Sequence, residues 1–196
     1  MALRQVKDTP TNNFATLNAN NKPTIVTLSN GNLNFTGGTS NNGNTTATLE
    51  VSSGKYYCEM LPTTLYTSIG VTASSSLIRT NYNNNGGLAN TISTYQLNYD
   101  GNVVSASGLS TTLSSYSTSN IIGVLLDMDN YQVSWYKDGI IMGTVSGLLD
   151  LSHTFFAADS TGSASGSSIL NFGQDPTFGG TKSPSTTYTD ANGIGQ

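Results

Sequence analysis

The sequence predicts an all-β fold, a two-sheet antiparallel β-sandwich with long polar loops. Three observations predict it. Only 9% of the 196 residues are charged, whereas helix surfaces are rich in Glu, Lys, Arg and Ala. Turn formers (Asn, Ser, Gly) alternate with strand formers (Thr, Val, Ile, Tyr) along the whole chain. About a dozen short runs place apolar residues at period two between turn signals, and no segment carries a helical stripe. The length suits one domain, able to bury about 70% of its unfolded surface.

The elements follow in order. Residues 1–22 are polar and aperiodic and read as an N-terminal arm, with Phe14 and Leu17 as anchors. The sandwich is expected over 23–178. "PTIVTLS" (23–29) and "LNFT" (33–36) flank "NGN" and predict a hairpin. "TTATLEV" (45–51) and "KYYCEML" (55–61) flank "SSG" and predict a second one. Ala47, Leu49 and Val51 share one face of the former; Tyr56, Cys58 and Met60 share one face of the latter. "YTSIGVT" (66–72) is the next strand. Residues 73–94 lack periodicity, and a loop of that length inside a domain is usually functional or disordered.

"YQLNY" (95–99) and "VVSAS" (103–107) flank "DGN", another hairpin. "NIIGVLL" (120–126) is apolar almost throughout, as a central strand buried on both faces should be. Tyr131, Val133 and Trp135 then alternate with Asn130, Gln132 and Ser134, and Asp138-Gly139 turns the chain into Ile140, Ile141 and Met142. "HTFFAAD" (153–159) and "SSILNF" (167–172) complete the set. Residues 179–196 form a polar tail. It ends at "TDANGIGQ" without a closing strand, as a fragment of a longer protein would.

Charge and cysteine content exclude several function classes. The net charge is −4, and the seven bases (Arg4, Lys7, Lys22, Lys55, Arg79, Lys137 and Lys182) are scattered. Nucleic acid and anionic membranes require clustered positive charge, so neither is an expected partner. Cys58 is the only cysteine and His153 the only histidine. No internal disulfide can form, and the two cannot fill a structural zinc site. The opening "MALRQVKDTPTNNF" lacks an apolar signal core, and no run approaches the length of a membrane span. Synthesis in a cytoplasm and no membrane insertion are therefore expected.

Candidate chemistry is sparse. Asp127 and Asp129 lie two apart, so they point the same way on a strand. A calcium site or an acid–base pair would need them so. With no third carboxylate nearby, they read as caps that accept backbone N–H groups at the hairpin start. Nucleophilic catalysis would need His153 beside a serine or Cys58, and Cys58 on an apolar face reads as an inert buried thiol. Glu50 and Glu59, the only glutamates, each fall on the face opposite their apolar neighbours; a glycan-cleaving pair would need them about 5–10 Å apart in a groove. No phosphate-binding glycine motif occurs. "NFT" (34–36) and "NTT" (44–46) match a glycosylation signal by chance in an Asn/Thr-rich chain. Trp135 reads as core, with sugar stacking as the alternative. No catalytic residue, metal ligand or cofactor site is expected.

The strand pieces resemble the SPRY family. "NIIGVLLDMDNYQVSWYKDGIIMG" (120–143) is similar to its signature hairpin, "SSGKYYCEM" (52–60) to its Gly-Lys-aromatic strand, "SIGV" (68–71) to the strand after it, and "LNFGQDPTF" (170–178) to its closing motif. Four pieces in order place the match over roughly 24–178, most of the chain. Tryptophan is common on the Gly-Lys strand, where this chain has Tyr56 and Cys58. The resemblance implies a concanavalin A-like jelly roll that binds protein or glycan through loops at one edge and is not an enzyme. "DTPTNNFATLN" (8–18), "LSNGNL" (28–33) and the Asn/Thr/Ser/Gly-rich loops resemble SPRY-containing structural proteins of bacteriophage virions. That likeness implies a tail fibre, spike or capsid-surface component. Its partners would be other virion proteins, further copies of the chain, or a host-surface glycan or protein. A lectin-like module and a cellular peptide-binding adaptor are the alternatives.

Partner contact is expected from the loop aromatics Tyr82, Tyr95 and Tyr116 and from Arg79 among them, since Tyr and Arg dominate binding hot spots. Tyr82 and Tyr116 are equally well read as solvated loop residues.

Overall fold

A computed structural model describes residues 13–38, 43–73, 93–105, 110–159 and 165–183. Thirteen strands form two antiparallel sheets. They are β1 (Thr27–Ser29), β2 (Asn34–Thr36), β3 (Asn44–Thr46), β4 (Lys55–Pro62), β5 (Thr67–Thr72), β6 (Thr94–Asn98), β7 (Asn102–Ser105), β8 (Ser110–Thr112), β9 (Ile122–Asp127), β10 (Gln132–Lys137), β11 (Ile140–Ser146), β12 (Thr154–Asp159) and β13 (Ser167–Asn171). One sheet has the order β1-β2-β13-β4-β9-β10-β11, the other β3-β12-β5-β6-β7-β8. The described residues contain no helix. The expected all-β, two-sheet antiparallel sandwich is the observed one.

Period two sets what lies between the sheets. Cys58 and Met60 (β4), Val124 and Leu126 (β9), and Val133 and Trp135 (β10) point inward from one layer. Ile69 and Val71 (β5), Leu97 (β6), and Phe155 and Ala157 (β12) meet them from the other. Each fully buried aliphatic side chain there contributes about 1.5–3 kcal/mol. Trp135 is fully buried, as expected. Its indole N–H finds no acceptor among the described residues.

Several turns behave as their residues dictate. Asp138 and Gly139 have φ of 51° and 80°, the left-handed pair a tight two-residue hairpin requires. The β1–β2 turn runs through Asn30, Gly31 and Asn32, all at positive φ, and registers Leu28 against Phe35. β9 lies between β4 and β10, the central place its apolar run implies. Leu17 is fully buried and bridges Ala47, while Phe14 is half-buried.

Two expectations are overturned, and one strand carries no sequence signal. Segments 45–51 and 55–61 do not pair: β3 joins β12 in the six-stranded sheet, whereas β4 pairs with β9 and β13 in the other. The chain between them crosses the sandwich, because both apolar faces must point into the same interior from opposite sides. Tyr131 is not a strand residue; its φ of 52° places it in the turn before β10. β8 pairs with β7 over a Ser-Thr-Thr run that has no apolar alternation.

The outer face of the six-stranded sheet is also buried. Ser68, Thr72, Thr94, Gln96 and Phe156, none of which points into the interior, are each 0% exposed. The polar groups bond across strands: Gln96 Nε2 donates to Ser68 Oγ at 2.9 Å, and the Thr72 and Thr94 hydroxyls lie 2.8 Å apart. Gly70 belongs to this face, and a Cβ there would collide with the Tyr95 carbonyl oxygen.

Candidate functional site

Antiparallel pairing brings one set of connections to one end of the sandwich. The ends of β5, β9, β11 and β13 and the starts of β4, β6, β10 and β12 all lie there. A pocket of about 160 Å³ opens at this end, between the layers. Phe14, Leu49, Tyr56, Phe155, Phe172 and His153 line it. Leu49, Leu149 and Leu151 are exposed, close to half of each side chain reaching solvent. The Val51–His153 bridge holds the two lips together.

His153 is buried and held by both ring nitrogens. A carbonyl can only accept, so Nδ1 donates to Leu151 O at 2.7 Å. Nε2 therefore carries the lone pair and accepts from Ser93 Oγ at 2.8 Å. Ser93 Oγ in turn accepts from the Leu149 N–H at 3.1 Å. Burial holds the His153 pKa below its usual value, and its bonds to Leu151 and Ser93 only partly offset this. Ser93 sits at φ 51°, uncommon for a residue with a Cβ. Its carbonyl accepts from Ala73 N at 3.2 Å, which closes the stem of the 73–94 segment beside the pocket. Gly147 N and Leu148 N both donate to Tyr131 O, fixing the start of the 147–153 connection.

The paired acids hold the adjoining bend. Asp127 accepts from Asn130 N at 3.1 Å and from its side-chain amide at 2.9 Å, and forms an ion pair with Lys55 at 2.9 Å. The Asn130 amide first, then Lys55, holds the carboxyl below its usual pKa, and Lys55 is held above its own. Asp129 accepts from Gly54 N at 2.7 Å. Both acids serve the turn. No group of three or more potential metal ligands occurs among the described residues. Cys58 is buried, and burial pushes its thiol well above the usual range.

The expected contact residues fare differently. Arg79 and Tyr82 lie outside the described residues. Tyr95 is not a loop aromatic: it is on β6, 4% exposed, and its hydroxyl donates to Gly147 O at 2.8 Å. It supports the pocket end from inside. Tyr116 is 5% exposed, and its hydroxyl donates to Thr67 O at 2.7 Å, at the opposite end. Both rings are core, since each hydroxyl finds a backbone carbonyl that lets the ring bury. The pocket and the Ser93–His153 pair were missed by sequence reasoning. Sixty residues separate the pair, and no local pattern marks either partner.

No protein-family model matches the chain, and no curated protein sequence matches it. Solved structures do. The SPRY domain of human HERC1 superimposes with a TM-score of 0.64 at 18% identity, covering 79% of this chain and 96% of that one. Stonustoxin gives 0.64 at 19% identity over 80% of this chain, which spans only 27% of the toxin chain. The TRIM65 PSpry domain gives 0.59 at 12% identity, covering 80% and 90%. At such identities the likeness is one of fold: this chain has the SPRY-type sandwich.

Proposed function

We propose that the chain is a non-enzymatic display module whose contacts are made at the loop-bearing end of the sandwich. The observation that carries this is the apolar pocket there, with exposed Leu49, Leu149 and Leu151 around it and rigid strands behind it. Exposed apolar groups rimming a preformed pocket are what a protein partner covers. His153 and Ser93 are spent on holding this end together. The solved SPRY domains share the scaffold.

The setting we propose is a bacteriophage virion, as a tail-fibre, spike or capsid-surface component contacting other virion proteins, further copies of itself or a host surface. The support is compositional: 9% charge, abundant Asn, Ser, Thr and Gly, and the motif likeness in residues 8–18 and 28–33. Side chains of that kind bond proteins and sugars with little dependence on ionic strength.

Gradient-purified particles from the source lysate, probed by mass spectrometry, test the setting. Co-sedimentation in stoichiometric copies supports it; recovery only in the soluble fraction refutes it. The contact surface is tested separately with Leu49→Asp and Leu151→Asp, each checked for folding by circular dichroism. Loss of particle incorporation or of self-association supports the loop-bearing end. Retention of both excludes it.

A further inference from the structure

We propose a second site, on the outer face of the seven-stranded sheet, that binds a neutral saccharide. It adjoins the loop-bearing end, since Tyr57 also lines the pocket there, but does not rest on the proposed setting. Four residues form one row across four strands: Asn171 opposes Glu59, Glu59 opposes Gly123, and Gly123 opposes Tyr136. Gly123 leaves a dip in the row. The phenol end of Tyr57, one step along β4 on the same face, lies in that dip. A Cβ on residue 123 would collide with the Tyr57 hydroxyl oxygen and sit 2.7 Å from its Cζ. Glycine is costly in the middle of a central strand, and close approach by another group explains it here.

The result is a preformed aromatic corner. Tyr57 remains 44% exposed. Tyr136 stands beside it at 76° between ring planes, with centroids 6.1 Å apart. At the other end of the row Glu59 accepts from the Tyr57 hydroxyl at 3.4 Å and from Asn171 Nδ2 at 3.3 Å. Both bonds are long, so the carboxylate keeps acceptor capacity for a further donor. Asn171 is buried, and its Oδ1 is occupied by Gly173 N and Asp175 N; it orients Glu59 and does not reach out.

This chemistry selects its ligand. An exposed ring face takes the C–H face of a pyranose, and a carboxylate beside it takes sugar hydroxyl donors. A purely apolar partner would strip water from Glu59 and return no hydrogen bond, an unfavourable exchange. An anion would meet a like charge, with no described cation in the row to offset it. The fit is therefore to an uncharged sugar residue.

The test uses the full chain. A glycan array carrying neutral and acidic glycans is followed by amide chemical-shift titration with glucose, galactose and N-acetylglucosamine, which separates recognition of a free sugar from recognition of a polymer-borne one. Binding to neutral glycans is expected, with shifts centred on residues 57–59, 123 and 136. Tyr57→Ala should weaken it about tenfold and Tyr57→Phe should keep most of it. Glu59→Gln should weaken binding, and Gly123→Ala should displace the ring and weaken it too. Thermal melting of each variant controls for folding. Because Tyr57 and Glu59 sit on an outer face, Tyr57→Ala and Glu59→Gln should melt close to the parent. No binding to any neutral glycan, a preference for acidic glycans, or full binding by folded Tyr57→Ala and Glu59→Gln overturns the proposal.

Discussion

Ser93 Oγ and His153 Nε2 lie 2.8 Å apart, the separation of a nucleophile and its base. The rest of the arrangement is that of a clamp. The serine oxygen is already an acceptor for Leu149 N–H, the histidine is fully buried, and the chain at Ser93 turns through a left-handed φ. The pair ties the stem of 73–94 to the 147–153 connection at the pocket.

Ser93→Ala should therefore cost about 1–3 kcal/mol, since it strands both Nε2 and the Leu149 N–H in a buried place. Chemical denaturation measures this. A fluorophosphonate probe should leave the wild-type chain unlabelled. Labelling that Ser93→Ala abolishes would mean that the pair is a catalytic dyad.

Asp159 predicts an unusual pH response. Its carboxyl is fully buried, Oδ2 accepts from Gly43 N at 3.2 Å, and Oδ1 has no partner among the described residues. Burial raises its pKa to about 7, against the backbone bonds from Gly43 and Gly38. The unfolded chain releases this proton near pH 4, the folded chain only near neutrality. Below both values the group is neutral in both states and costs nothing. As pH rises between them, stability falls, by on the order of 4 kcal/mol at most. His153 acts oppositely: its lowered pKa contributes stability above its usual value that is lost as pH falls. Urea denaturation from about pH 4 to about pH 8 should show Asp159→Asn flattening the decline. A variant curve parallel to wild type across that window would remove Asp159 as its source.

Gly70→Ala should destabilise the six-stranded sheet by about 3 kcal/mol. The new Cβ would meet backbone, the Tyr95 carbonyl and Gln96 Cα, which cannot swing aside as a side chain can. Hydrogen exchange should accelerate first in β5 and β6. Gly139→Ala meets nothing within 4 Å, so its cost is the φ of 80° alone, about 1 kcal/mol. Equal costs at the two sites would contradict the steric account.

At the hairpin start, Asp127→Asn should lose more than Lys55→Met. The carboxylate organises the Asn130 turn by two bonds, whereas the lysine is a largely exposed partner, and solvent screens a surface ion pair. The depressed Asp127 pKa means its contribution is complete above the usual carboxylate pKa and fades as pH falls through the folded value. Thermal melts at neutral and acid pH should converge for wild type and Asp127→Asn.

Residue order alone dictates the strands, many of their turns and the inward faces. Asn30-Gly31-Asn32, Asp100-Gly101 and Asp138-Gly139 bend where they do because those residues tolerate left-handed or side-chain-bonded backbone. Val133, Trp135, Val124 and Leu126 point inward because alternation at period two leaves them no other side. Long-range packing assigned each strand to its sheet, and so set β3 and β4 apart. It also buried Tyr95, Tyr116 and the polar face holding Gln96, joined Ser93 to His153, and laid Tyr57 over Gly123. Alternation states that a residue faces an interior; it does not say which strand lies opposite. A polar side chain is buried or exposed according to partners contributed by distant segments, and chain neighbours carry no record of them.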